Sequence, residues 1–169
     1  MDKIKAYLFF CFVFLFLSCS DNVKEAIEYN KRIVLSYQKV ADIKDKLMFY
    51  ILVKDTTHFD LEYKEFVNQI NLSEKEIGEI GSFENYPDFN NAALSMMSVY
   101  KDVAKKEILD LRFLVKKKLQ LNKQDSSSEN VFGEKLHKLN SVLDSEFNKF
   151  ETAQQKFAAK FNLNDGVKN

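Results

Sequence analysis

The sequence predicts an all-α fold, an antiparallel up-and-down four-helix bundle in which the second helix is broken. Residues that form turns are scarce, with one proline and four glycines in 169 residues, whereas a β-sandwich or barrel needs a turn every ~8–12 residues. Hydrophobic residues instead recur at steps of three and four over long stretches, which places them on one face of a helix. About 150 residues beyond the N-terminal segment suffice for a single domain with its own core.

The first two helices are separated by Asp55-Thr56-Thr57, residues that prefer caps and turns. The first is predicted over residues 22–54 and the second from there to about Gly81. Ser73-Glu74-Lys75-Glu76 has the form of a capping box, in which the serine accepts an amide hydrogen bond and the last glutamate reaches back. We therefore expect the second helix to break near Asn71 and to restart as a short segment.

The third helix, predicted over residues 88–122, has the longest unbroken period in the chain. Residues 123–130 are polar and low in complexity, which predicts a flexible loop. The fourth helix is predicted over residues 131–162, with Asn130 as its cap. The bundle domain thus covers residues 22–162, and residues 163–169 are expected to fray.

The N-terminal segment has the order of a secretory signal peptide. Lys3 and Lys5 precede an uncharged run from Ala6 to Leu17, rich in Phe, Leu and Val, and Ser18 and Cys19 follow. The run is shorter than the ~20 apolar residues that span a bilayer as a helix.

A cysteine directly after a small residue resembles a bacterial lipobox. We therefore predict a signal peptide at residues 1–18, acylation of the Cys19 thiol (palmitate among the chains), and a short tether at residues 19–21. Phe16 stands where leucine is usual, which resembles the relaxed boxes of Bacteroidetes-like or spirochaete-like lipoproteins. The alternatives are an uncleaved single-helix anchor and a signal peptide cut without lipidation.

The predicted address is the bacterial cell envelope. Ser20 and Asp21 do not look like an inner-membrane retention signal, which favours the outer membrane; the choice between its periplasmic and surface faces is left open. Two or more acyl chains hold a protein stably, at ~0.8 kcal/mol for each buried methylene. The folded domain therefore needs no membrane-binding surface of its own.

Charge and cysteine content argue against a nucleic-acid-binding protein and against a disulfide-stabilised domain. Without residues 1–18 the chain has 23 basic and 24 acidic residues and no basic stripe, so nucleic acid is not an expected partner. The consecutive Lys116, Lys117 and Lys118 point around a helix rather than along one face. Only Cys19 remains as a thiol, so the exported domain has no disulfide and depends on its hydrophobic core.

The histidines suggest a weak metal site. Glu134 and His137 have the Glu-x-x-His spacing of di-iron bundles, which need a second such motif and two further glutamates. That second motif is missing, although Asp55 and His58 have a similar spacing in a predicted loop. A surface zinc site of His58, Glu134 and His137 is the hypothesis; we favour its alternative, exposed histidines without a ligand. No metal or cofactor is predicted.

Paired carboxylates are the other candidate chemistry. Glu107 and Glu146 lie beside the hydrophobic faces of the third and fourth helices, where burial could tune them for acid–base work. We expect solvated side chains instead, with Lys149 as the partner of Glu146. No nucleophile–base pair accompanies them, nor does a Gly-rich phosphate loop, a Gly-x-Ser-x-Gly or a Cys-x-x-Cys motif. No catalytic residue and no enzyme activity are predicted.

Aromatic residues are abundant, with eleven phenylalanines and six tyrosines left after residue 18. We expect them to fill the core of the bundle. The alternative is an aromatic-lined pocket for a lipid or a haem-like ligand.

Several short motifs resemble a family of uncharacterised bacterial surface lipoproteins. They are Ala153–Asn162 with its Ala-Gln-x-x-Phe-Ala turn, Asn90–Leu94, Tyr100–Glu107 and Glu28-Tyr29-Asn30. The resemblance covers most of the mature chain and implies a lipid anchor and an all-helical domain, but no activity.

The sequence thus predicts a membrane-tethered, non-enzymatic envelope or cell-surface interaction protein. Its partners would be the membrane, through the N-terminal lipid, and an unidentified protein. The alternative is a bundle that senses a small ligand or a metal at a site near the end that carries His58 and His137.

Overall fold

The structure is a computed structural model that describes the backbone of residues 2–121 and 126–163. It describes their side chains except those of residues 2–20, 118, 120, 121 and 126–128. The elements are α1 (Asp2–Leu52), α2 (Thr56–Ile80), α3 (Asp88–Val103), a π-helical turn (Ala104–Ile108), α4 (Leu109–Leu121) and α5 (Ser126–Lys160).

The four-helix bundle is confirmed. α3, the π-helical turn and α4 form one continuous helix, so the described residues form four helices and contain no β-strand. Short connections join α1 to α2 and α2 to α3, as expected for antiparallel neighbours. α1 packs mainly on α2, and α3 packs mainly on α5.

The predicted break in the second helix is wrong, because α2 runs unbroken from Thr56 to Ile80. Ser73 is fully buried, and its hydroxyl donates to the backbone carbonyl of Ser36 in α1 over 2.7 Å rather than capping a new helix. Glu76 turns outward and pairs with Lys39 at 3.1 Å. A serine buried against a neighbouring helix has the same local sequence as a capping box, which explains the error.

The irregularity lies in the third helix, which we expected to be regular. The π-helical turn starts at Ala104, whose carbonyl accepts a hydrogen bond from the Tyr63 hydroxyl of α2 at 3.1 Å. Such a turn adds one residue to the helix. Val103 and Ala104 are consequently both buried, and the buried face continues at Ile108.

The fourth helix begins earlier than predicted. α5 starts at Ser126, so the second half of the loop expected at residues 123–130 is helical, and Asn130 lies inside the helix instead of capping it. Residues 122–125 lie outside the described part of the chain. α5 ends at Lys160, and Asn162 follows with a φ of 56°. The tail expected at residues 163–169 is described at Leu163 only.

Aromatic rings fill the contact between α1 and α5. The backbones of these helices approach each other less closely than those of α1 and α2, and Tyr37 bridges them, with ring centroids 5.7 Å from Phe147 and 4.9 Å from Phe150. The buried core residues lie between Ala26 and Phe161. The chain that follows residue 18 therefore contains the core described here.

The N-terminal predictions concern residues of which little is described. The backbone of α1 begins at Asp2 and includes residues 19–21. The side chains of residues 2–20, including Cys19, lie outside the description, so signal peptide, lipidation and tether stay predictions. Among the residues searched, no helix is both long and apolar enough to cross a membrane.

Candidate functional site

The two ends of the bundle differ in how they are closed. The near end is where α2 meets α3 and α5 terminates. Six aromatic rings pack there with centroids 4.7 to 6.2 Å apart. They are Tyr29, Phe83, Tyr86, Phe89, Phe157 and Phe161. This end is a filled hydrophobic core.

The connection between α2 and α3 is tied to the near end by its own turn. Glu84 and Asn85 both have positive φ, as in a type I′ turn, and the Tyr86 amide donates to the Phe83 carbonyl at 2.8 Å. The turn directs the rings of Phe83 and Tyr86 toward α5. Lys160 lies over the Tyr86 ring at 4.3 Å.

The opposite end, where α1 and α4 terminate and α2 and α5 begin, is called the far end below. Seven large hydrophobic side chains of the described residues are at least 49% exposed, and six of them lie at this end. These six are Phe49, Leu52, Val53, Leu61, Phe113 and Leu119; the seventh is Leu72 on α2. Among the described residues, the most exposed large hydrophobic side chains are thus concentrated at the far end, away from the aromatic cluster of the near end.

The far end also contains a pocket of about 250 Å³. Its hydrophobic wall comes from the last turn of α1, from α4 and from the start of α5, through Ile51, Leu52, Leu114, Val115 and Phe132. Two charged residues, Lys54 and Glu129, complete the lining. This pocket has one aromatic residue in its lining, Phe132, so it is not the aromatic-lined pocket considered as an alternative from composition.

Lys54 ends α1 in an unusual backbone conformation. Its φ is 62°, in the left-handed region. Its amide donates to the Ile51 carbonyl at 3.2 Å and the Asp55 amide donates to the Tyr50 carbonyl at 2.9 Å, which is the hydrogen-bond pattern of a Schellman motif. Glycine is the usual residue at this position because it has no Cβ to clash.

His58 lies in the first turn of α2 rather than in a loop. The Asp55 carboxylate caps α2 by accepting from the amides of Thr57 and His58, and it also contacts His58 Nδ1 at 2.6 Å. The backbone hydrogen bond from His58, followed by the bond to its ring, lowers the pKa of Asp55 below its ordinary value. The imidazole stacks on Tyr50 with centroids 5.3 Å apart.

The described residues do not provide the set of ligands that the hypothesis of a metal site requires. Glu134 and His137 are exposed on α5, and the described part of the chain contains no cluster of three or more His, Cys, Asp or Glu side chains able to hold a metal ion. His58 is instead engaged with Asp55 and Tyr50, which gives it a structural role at the helix start.

Glu146 is buried, which corrects our expectation that it is solvated. It accepts from Lys149 Nζ at 2.8 Å, as predicted, and also from the Ser95 hydroxyl of α3. Burial raises the pKa of Glu146, but the hydrogen bonds from Lys149 and Ser95 outweigh burial and hold it below its ordinary value. A carboxylate held ionised by two donors links α3 to α5 and is not poised to take up a proton. Glu107 is partly buried at the π-helical turn.

Charged pairs fix α4 at the far end. Arg112 contacts both carboxylate oxygens of Asp60 on α2, and Lys135 on α5 bonds to Asp110 at 2.6 Å. α4 is therefore held from two sides, which positions the pocket wall and the exposed Phe113.

The far-end residues were not identified from the sequence. Leu119 and Phe147 keep the three-and-four spacing of the hydrophobic faces, which predicts burial, but they are 49% and 37% exposed. Phe113 and Leu61 do not keep that spacing, and a large hydrophobic residue outside the periodic positions of a helix was the available indication of an exposed site. Lys54 gave no indication, because its importance comes from its backbone conformation.

Comparisons with known proteins add no relative. No protein-family model matches the chain, and no curated protein and no solved structure was found to be similar to it.

Proposed function

We propose that the protein is a lipid-tethered, non-enzymatic interaction protein of the bacterial envelope. It is anchored through acylated Cys19, in the outer membrane, and belongs with the surface lipoproteins that its motifs resemble. Its far end binds a protein partner through hydrophobic contacts.

The position of the exposed hydrophobic side chains supports this proposal. A group of exposed large hydrophobic side chains at one end of a protein is a candidate contact site, and aromatic residues such as phenylalanine are enriched in the cores of protein–protein interfaces. From residue 21 to Leu52, α1 extends about 46 Å at ~1.5 Å per residue. A membrane anchor at Cys19 would thus be separated from the far end by most of the length of α1.

Site-specific photo-crosslinking in intact cells tests the proposal. The photoreactive residue p-benzoylphenylalanine replaces Phe113 or Phe49 at the far end. Leu72 is the matched control position, because it is 53% exposed but lies outside that end. We expect one discrete adduct from the far-end positions and none from Leu72.

Identification of the adduct completes the test. The purified partner is expected to bind the wild-type domain, and Phe113→Ser is expected to weaken binding at least tenfold, whereas Leu72→Ser leaves it unchanged. The same adducts from all three positions, or binding that is insensitive to Phe113→Ser, would contradict a docking role for the far end.

A second function, the sensing or binding of a small ligand, is favoured by one observation. The pocket of about 250 Å³ opens at the end where His58 lies. Such a role requires no metal, because the pocket lining is hydrophobic with one lysine and one glutamate.

A further inference from the structure

We propose that the far-end pocket binds a single-chain amphiphile with an anionic head group, such as a medium-chain carboxylate, and that Lys54 is its head-group ligand. The inference deepens the second function proposed above and is independent of lipidation and of a protein partner.

The shape and lining of the pocket set the size of the ligand. At roughly 30 Å³ for each water-sized group, about 250 Å³ holds about eight groups of that size. Five of the seven lining residues are hydrophobic. A short acyl chain fits this space, whereas a two-chain lipid does not.

The backbone conformation of Lys54 points to a functional role for its side chain. A non-glycine residue in the left-handed region is disfavoured, and such strain points to a functional hypothesis when the residue lies at a cavity. Glycine would satisfy the Schellman motif at lower cost. At this position, however, glycine would remove the cation from the pocket lining.

The charges around the pocket favour an anionic head group. Among the ion pairs of the described residues none involves Lys54, whereas Glu129 has an interaction of its own. Lys54 is the one cationic residue in a lining of five hydrophobic residues and one glutamate, and its ammonium can give a carboxylate a charge-assisted hydrogen bond.

The position of the pocket separates it from the protein's own lipid. Residue 19 and Ile51 both lie in α1, which places them about 48 Å apart along a continuous helix. Acyl chains on Cys19 therefore do not reach the pocket. The geometry instead favours a free amphiphile as the molecule that occupies it.

Calorimetric titration tests the proposal on the chain from residue 19 onward, which contains the described core, with Cys19→Ser to prevent acylation. The probes are decanoate, uncharged decanol and cationic decyltrimethylammonium. We expect saturable one-to-one binding of decanoate, at least tenfold tighter than that of the other two. Equal affinity for decanol, or no saturable binding of decanoate, overturns the proposal.

Variants assign the site. Lys54→Met is expected to weaken decanoate binding at least tenfold, to the level of decanol, and Leu114→Trp to abolish it by filling the pocket. Lys138→Met is the matched control, because Lys138 is exposed on α5 and does not line the pocket. Circular dichroism confirms folding of each variant. Unchanged decanoate affinity in folded Lys54→Met contradicts the assignment, whether or not Leu114→Trp folds.

A sedimentation experiment with lipid vesicles distinguishes binding of a free amphiphile from binding of a membrane lipid. The same protein is sedimented with phosphatidylglycerol vesicles, and we expect it to stay in solution. Co-sedimentation that Lys54→Met removes would assign the site to a membrane surface and overturn the proposal. Failure of decanoate binding leaves the crosslinking result at Phe113 unaffected, so the two proposals fail separately.

Discussion

The hydroxyl of Ser73 donates a 2.7 Å hydrogen bond to the backbone carbonyl of Ser36, and both residues are fully buried. Gln69 in turn donates to the Ser73 hydroxyl at 3.0 Å. This connection between α1 and α2 is a polar contact inside the most extensive helix pairing of the bundle. It identifies Ser73 as a packing residue rather than a helix cap.

Ser73→Ala is expected to destabilise the domain by about 1 kcal/mol. Loss of the hydrogen bond costs about 1–2 kcal/mol, and the higher helix propensity of alanine returns about 0.5 kcal/mol. Urea denaturation of the chain from residue 19 onward measures the difference. Ser98→Ala on the exposed face of α3 is the control, and a Ser73→Ala variant as stable as that control would be evidence against the buried contact.

Lys54→Gly is expected to raise the free energy of unfolding by about 0.5–1 kcal/mol, because glycine relieves the left-handed backbone conformation. Lys46→Gly, at an exposed position inside α1, should lower it by about 1 kcal/mol. Urea denaturation of both variants shows whether the signs are opposite. A loss of stability in Lys54→Gly would mean that residue 54 does not adopt a positive φ.

Glu146→Gln is expected to destabilise the domain at neutral pH and to have less effect in acid. Because the pKa of Glu146 is held below its ordinary value, the ionised carboxylate contributes stability above about pH 4.3, the ordinary glutamate pKa. That contribution is lost as the pH falls through the lowered pKa of the folded state.

Denaturation of Glu146→Gln between pH 7 and pH 3 measures this effect. The deficit relative to wild type should be about 1–2 kcal/mol at pH 7 and should shrink as the pH falls. Glu151→Gln on the exposed surface of α5 should show no such trend. A deficit that is constant with pH would show that the hydrogen bonds do not depend on ionisation.

Phe157→Ala is expected to cost about 3–5 kcal/mol, the usual effect of truncating a buried phenylalanine. Its ring is fully buried and contacts Tyr29, Phe89 and Phe161 at the near end. Phe113→Ala removes a ring that is 64% exposed and should change stability by less than about 0.5 kcal/mol. Thermal denaturation compares the two, and similar losses would contradict the contrast between the two ends.

Periodicity predicted the helices and most of the core, because a hydrophobic residue at every third or fourth position leaves one face to bury. It missed what depends on the neighbouring helix. Ser73 resembles a cap until α1 is seen to supply its acceptor, and the π-helical turn at Ala104 keeps the same hydrophobic residues while shifting their phase. The start of α5 was missed because a run of polar residues, such as the one that ends at Asn130, is compatible both with a loop and with the exposed first turns of a helix.

The candidate site was less predictable than the fold. His58 was considered as a metal ligand, but its contacts with Asp55 and Tyr50 give it a structural role. The pocket depends on three helices meeting at Ile51, Leu114 and Phe132, and no local sequence pattern encodes that meeting. Lys54 is distinguished by a backbone angle, which propensity does not predict for lysine.

Processing of Cys19→Ala tests the proposed tethered interaction protein most directly, because the proposal requires a lipid anchor at that residue. Cells expressing the wild-type or the variant chain are labelled with radioactive palmitate, with and without globomycin, and then fractionated. We predict that the wild-type chain incorporates label, is cleaved in a globomycin-sensitive manner and sediments with outer membranes, and that Cys19→Ala does none of these. Unchanged processing and membrane association of Cys19→Ala would contradict the account.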